Sequence, residues 1–169
     1  MIIRQENSKD FDNIYHLVKE AFESAEHKDG NEQDLVNELR NGSSYIPELS
    51  LVAEENGKLA GHIMFTKAFV GNKLVLVLEP LSVAPNFQNR GVGTALVQQG
   101  HKIAKEKGFE FSFVLGSDKY YSRFGYVPSV TLGVDAPKGV PTENFMVLKL
   151  KNNDEKLCKN IVFAKEFGM

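Results

Sequence analysis

Apolar positions change their period along the chain, and the changes divide it into elements. Ile2 to Gln5 reads as a short strand. Phe11, Ile14, Leu17, Val18, Ala21 and Phe22 then follow helical spacing, with Ser8 or Asp10 available to cap the start. A polar stretch, His27 to Asn31, separates this from a second helix. There Asn31 is the cap, Leu35, Val36 and Leu39 form the apolar face, and Gly42 follows the end. Three strands come next: Leu49 to Glu55, Leu59 to Val70 and Leu74 to Val83. They are joined by the turn pairs Asn56-Gly57 and Gly71-Asn72, and Gly61 suggests a bulge in the second. The third is apolar almost throughout, so it is expected to be buried on both faces. Pro80 cannot donate to a sheet ladder, which predicts a distortion at Glu79-Pro80 and two strand pieces.

Gly91 to Lys107 returns to helical spacing and stops at Gly108. Phe109 to Leu115 follows as a strand, giving a parallel strand–helix–strand unit with Leu81 to Ala84. Asp118 is placed to cap a short helix ending at Gly125. Val130 to Val134, Phe145 to Leu150 and Asn160 to Phe163 read as further strands, and Asp135 to Glu143 as a loop. Antiparallel hairpins followed by one parallel crossover predict an α/β (α+β) fold, a mixed sheet with helices packed on it.

The chemistry concentrates where the third strand meets the long helix, from Leu81 to Ala95. A helix start presents unpaired N–H groups and the positive end of the helix dipole, which suits an anion. Gly91 and Gly93 let a phosphate approach the backbone, and Gln88 and Arg90 add donors. An ordinary strand-to-helix turn is the competing reading. A P-loop would need Lys-Ser/Thr after the glycines, where Thr94-Ala95 stand. A dinucleotide fingerprint would need a small residue where Leu96 stands.

What remains, Gln88-x-x-Gly91-x-Gly93 after a buried strand, resembles the coenzyme loop of the GNAT acetyltransferase superfamily. Ile3-Arg4 with Glu20-Ala21-Phe22 is similar to that family's first strand and helix. Tyr120-Tyr121-Ser122-Arg123-Phe124-Gly125-Tyr126 is similar to its later tyrosine signature. Leu115-Gly116 and Phe145-Met146-Val147-Leu148 resemble its YhbS-like branch. The likeness spans nearly the whole chain and implies a single GNAT domain over residues 1–169, with central strands splayed into a V.

The resemblance implies acetyl-CoA as co-substrate. Leu81, Ser82 and Val83 would meet the pantetheine arm, the Val83 N–H would polarise the thioester carbonyl, and Gln88, Asn89, Arg90, Gly91, Val92, Gly93 and Thr94 would hold the diphosphate. Arg123 would also meet the coenzyme's phosphates, behind Arg90 whose loop lies at the diphosphate, or else pack near the adenosine or face water. It also implies direct attack by a primary amine in a ternary complex. Tyr121 would be the acid that protonates the leaving thiolate and Glu79 the base, or else a water relay serves as base. Packing is the plain alternative for Tyr121, and a surface ion pair for Glu79. The acceptor, a small molecule or a peptide, would be lined by His27 to Glu32, Leu59 to Val70 and Asp135 to Glu143. A non-catalytic acyl-CoA-binding module is the rival reading.

Composition narrows the field. The 169 residues are 42% hydrophobic and 25% charged, which suits one globular domain rather than a disordered chain. The net charge is −2 with no dense Lys/Arg cluster, so no nucleic-acid partner is expected. Lys102 to Lys107 reads as helix-end charge. The longest apolar run, Leu74 to Leu78, is far short of a membrane span, and the N-terminus turns polar at once. Cys158 stands alone, and His16, His27, His62 and His101 have no ligand spacing, so no disulfide and no metal are expected. These features predict a cytoplasmic protein, monomer or homodimer.

Overall fold

The computed structural model describes residues 1–25 and 28–169. Eight strands form one sheet: β1 (Ile2–Gln5), β2 (Tyr45–Glu55), β3 (Lys58–Val70), β4 (Lys73–Val83), β5 (Phe111–Leu115), β6 (Val127–Pro128), β7 (Phe145–Lys149) and β8 (Ile161–Val162). Their spatial order is β1-β2-β3-β4-β5-β7-β6, with β8 pairing to β3. Every pairing is antiparallel except β4 with β5. Among the described residues four α-helices accompany it: α1 (Phe11–Glu23), α2 (Glu32–Arg40), α3 (Val92–Glu106) and α4 (Asp118–Tyr121).

The continuous apolar character of β3 and β4 follows from cover on both faces. Ile63 and Phe65 pack with Leu96, Val97 and Ala104 of α3. Met64, pointing the other way, joins Ile14, Leu17 and Val18 of α1 and Val36 and Leu39 of α2. Farther along, Val75, Val77, Phe111, Phe113 and Val147 form a third cluster with Leu132, Val134 and Phe163.

Proline 80 shapes the centre of the sheet. Ile63 pairs with Leu81 and Phe65 with Leu78, so Met64 alone opposes both Glu79 and Pro80. This is the expected distortion, but it is a bulge within one strand rather than a break between two. The parallel pairing lies before it, at Leu76–Leu78 with Ser112–Val114, and not at Leu81 to Ala84. A bulge bends its strand. Past it β4 keeps β3 and has no β5 ladder, which opens the sheet as a V. A second bulge falls on Ala60, beside Gly61, because Ala53 pairs with Gly61 and Glu54 with Leu59, and the β2–β3 register shifts again between Tyr45 and Ser50.

Three capping expectations change. Asp10 holds the cap position of α1 without a side-chain cap bond, and Asn7 caps the 3-10 turn before it (Ser8–Asp10) by accepting from the Lys9 N–H. Asp10 instead accepts from the Asn7 N–H at 2.8 Å and from Arg4 at 2.8 and 2.9 Å. Asn31 holds the cap position of α2 without a side-chain bond, while Glu32 accepts from the N–H groups of Asp29 and Gly30. Ser117, not Asp118, caps α4 by accepting from the Tyr120 N–H. The expected strand at Val130 to Val134 is a 3-10 turn, Ser129–Leu132. The Ser129 hydroxyl donates to the Val134 carbonyl and closes that turn, a local bond that competes with a ladder.

Candidate active site

The cleft begins at the β4 bulge. Ala84 donates its N–H to the Ala60 carbonyl. Counting back by twos, Ser82 points its backbone at His62 of β3, whereas Leu81 and Val83 point theirs the other way. No β5 ladder is present there, so the N–H groups of Leu81 and Val83 face the opening. Ser82 is therefore directed differently from its neighbours, and its buried hydroxyl has no partner among the described residues.

Alpha3 starts across this opening. Gly91 is its first flanking residue at φ 82° and no side chain caps the helix, so the first-turn N–H groups have no side-chain acceptor. A Cβ on Gly91 would meet nothing within 4 Å, so this position is open and its glycine is there for the left-handed backbone. Gly93 differs, because a Cβ there would collide with the Tyr120 hydroxyl. Gln88 donates its side-chain N–H to the Val83 carbonyl at 3.3 Å, tying the loop to the strand. Asn89 turns through φ 60°. The Arg90 guanidinium sits 5.4 Å over Phe87. Val92 is buried against the core, and the Thr94 hydroxyl accepts from Arg123 at 2.8 Å.

Tyr121 ends α4, buried among aromatic rings. Tyr120 lies 5.0 Å away, edge-on, and Tyr126 5.7 Å away. Gly116 leaves the space that the Tyr121 ring fills. Tyr126 is fixed by Ser112 at 2.8 Å and His101 at 2.9 Å. Tyr121 has no such bond to a described residue. Burial pushes its phenol upward, with Tyr126, Tyr120 and Glu79 adding to the effect. It therefore keeps its proton at neutral pH. Burial also pushes the Glu79 carboxyl up, to about 7, helped by the charges of Asp29 and Glu32. The charge of Glu79, 42 positions earlier in sequence, is thus one of those that act on the Tyr121 phenol.

On the expected acceptor side, the 28–32 segment is near Glu79, and His27 lies outside the described residues. The loop ending at Asn144 meets Gly116 through the Asn144 amide at 3.0 Å. Most of Leu59 to Val70 is core instead, since Ala60, Ile63, Met64 and Phe65 are fully buried. Those side chains cannot line a pocket. His101 and His62 are internal. Burial, reinforced by Lys105, lowers His101 to about 4, so it is neutral. His62 contacts Glu6 at 3.0 Å and Ser50 at 3.1 Å. Neither pattern was visible in sequence, because each depends on partners distant along the chain.

Among the described residues, no group of three or more His, Cys, Asp or Glu is placed to hold a metal. No helix of the described residues is long and apolar enough to cross a membrane. A hollow of about 710 Å³ lies away from the cleft, between the β3–β4 turn and Gly108 to Glu110, where Lys73 pairs with Glu110 and Glu155.

The residues that meet at this cleft also relate the chain to known proteins. Residues 11–126 match the Acetyltransferase (GNAT) family. An uncharacterized N-acetyltransferase, YjhQ, of Escherichia coli (strain K12) is 41% identical over 118 residues. That match takes in 67% of this chain and 65% of the relative, a little under two thirds of the relative's length. A GNAT family acetyltransferase from Brucella melitensis, solved with acetyl-CoA, superposes with a TM-score of 0.80 at 27% identity, over 98% of this chain and 97% of the other. The Escherichia coli GNAT family N-acetyltransferase YhbS, solved with CoA, gives a TM-score of 0.87 at 26% identity, over 99% and 92%. The fold is that of these proteins, a mixed sheet with one parallel pair between helices, and the chain belongs to the GNAT acetyltransferase family.

Proposed function

We propose that the protein transfers the acetyl group of acetyl-CoA to a primary amine by direct attack in a ternary complex. The observation that carries this is the opening past the Glu79-Pro80 bulge. There the amides of Leu81 and Val83 are turned out of the ladder and face the uncapped start of α3. The residues present fit the coenzyme. Unpaired strand amides suit an amide-bearing arm, and free N–H groups at a helix start suit a diphosphate. Relatives of similar length bind acetyl-CoA or CoA in their crystals, which supports the same reading here.

In this reading each residue has one task. The Val83 N–H donates to the thioester oxygen as charge develops on it. Glu79, raised to about 7, accepts a proton from the ammonium form of the acceptor, directly or through water. Tyr121, held protonated by burial, donates to the departing thiolate. Gln88 holds the loop against Val83, and Gly91 and Gly93 shape the start of α3. The acceptor approaches past the 28–32 segment and the loop that ends at Asn144.

A coenzyme-binding module without catalysis would have no use for a protonated phenol and a near-neutral carboxyl facing one opening. Their pairing favours the enzyme. Acetyl-CoA consumption across a panel of primary amines (amino acids, polyamines, aminoglycosides and lysine peptides) tests it. Amine-dependent thiol release by the purified protein is expected. CoA binding with no release for any amine class would favour the binding module.

A further inference from the structure

Arg123 stands at the α3 start, although sequence order puts it 29 residues after Thr94. Its Nη2 donates to the Thr94 hydroxyl at 2.8 Å. Its guanidinium lies 4.8 Å over the Tyr120 ring and 5.4 Å over Phe124. Among the described residues no carboxylate pairs with it, whereas Arg4, Arg40 and Lys73 all have acidic partners. A cation at a helix N-terminus opposes the helix dipole. The protein therefore gathers, at one spot, a guanidinium, free N–H groups and the positive helix end, without a counter-charge of its own. One N–H of the guanidinium is used on Thr94, and its fork keeps further donors. Stacking on two rings fixes the fork in advance, which lowers the entropy lost when it binds an anion. Arg90, the more obvious candidate by sequence, lies on the loop over Phe87 instead.

We propose that Arg123 is the principal cation for the coenzyme diphosphate, gripping it together with the first turn of α3, and that Arg90 is secondary. This rests on the acetyl-CoA reading above and goes beyond it in naming the residue and the phosphate.

Calorimetry separates the two levels. The titrants are CoA and dephospho-CoA, which keeps the diphosphate and lacks the ribose phosphate. The proteins are the parent, R123Q, R123K and R90Q, each checked by thermal melting. R123Q is expected to weaken both titrants about tenfold, the scale of one charge-assisted hydrogen bond. R123K keeps the charge but loses the fork and its stacking, so it should recover part of that loss, and R90Q should cost under about threefold. The assignment is overturned by an R123Q affinity within twofold of the parent, or by an R90Q loss as large as that of R123Q. A loss seen with CoA but not dephospho-CoA moves the contact to the ribose phosphate and also overturns it. An R123K as weak as R123Q also overturns it, because the retained charge would then contribute nothing. A parent protein with no CoA affinity overturns the functional reading as well.

Discussion

The Tyr120 hydroxyl occupies the space that a Cβ on Gly93 would need. The second glycine of the loop is thus required by a neighbouring side chain, independently of any ligand. The Tyr120 ring is braced by Tyr121 and Phe124, so it cannot swing away freely. Gly93→Ala should therefore overpack the site and cost about 1–3 kcal/mol, read as a lowered Tm and weaker CoA binding. The carbon beneath the hydroxyl is 3.7 Å from the added Cβ, an ordinary contact. Adding Tyr120→Phe to Gly93→Ala should restore most of both losses. A double variant no better than Gly93→Ala alone would show that the collision is not the cause.

The Glu6 carboxylate has no exposed side-chain surface and accepts from Arg40 at 2.7 and 3.1 Å and from Tyr45 at 2.8 Å. Burial pushes this carboxyl up, but hydrogen bonds from His62 and Arg40 outweigh it and hold it far below the carboxylate range. The unfolded chain takes up a proton near 4.5, which the native state refuses until much lower pH. The resulting stability is complete above that value and drains away as pH falls below it. Glu6→Gln leaves Arg40 buried without its charge partner and should cost about 3–5 kcal/mol. It should also flatten the fall in Tm between neutral pH and pH 3. A Tm within about 2 °C of the parent at neutral pH would contradict this.

How far the sequence could be read depended on whether a feature was local. Gly91 after a buried strand, Pro80 inside one and Gly108 after a helix act on their own backbone, so the loop, the distortion and the helix end were legible. The stretch of β4 that pairs with β5 was not, because it lies before the bulge opposite Met64 and locating that requires the register of β3. Asp10 does hold the cap position of α1, but Arg4 on β1 takes its carboxylate. Val130 to Val134 alternates like a strand, yet Ser129 finds a nearer acceptor in Val134. Arg123 ranked behind Arg90 for the same reason: only the fold brings it to Thr94.

Glu79 gives the cleft a pH signature. Its carboxyl sits at about 7, so as a base it becomes competent as pH rises through that value. The rate should climb about tenfold per pH unit below the midpoint and level above it. Glu79→Gln should remove that limb and lower kcat by about two orders of magnitude. Stability moves the opposite way. A carboxyl raised from 4.5 to about 7 favours the native state while both forms are protonated, and that advantage is lost as pH rises through 7. Glu79→Gln should therefore match the parent in Tm at pH 4 and exceed it at pH 8. A parent and variant with superimposable pH–rate profiles would exclude Glu79 as the base.

Tyr121 separates packing from chemistry. Its ring fills the space beside Gly116 and meets Tyr120, Phe124 and Tyr126, while its hydroxyl bonds to no described residue. Tyr121→Phe keeps every ring contact and removes only the proton. Tm should stay within about 2 °C, since no buried hydrogen bond is broken. CoA affinity should also hold within about twofold. If the phenol protonates the departing thiolate, kcat should drop by about two orders of magnitude with KM for acetyl-CoA little changed, the pattern of a contact made only in the transition state. A thioester with a more acidic thiol needs less help in leaving, so the deficit of Tyr121→Phe should shrink with such a donor. An equal deficit for both donors would make Tyr121 a positioning residue, and an unchanged kcat would leave it a packed aromatic.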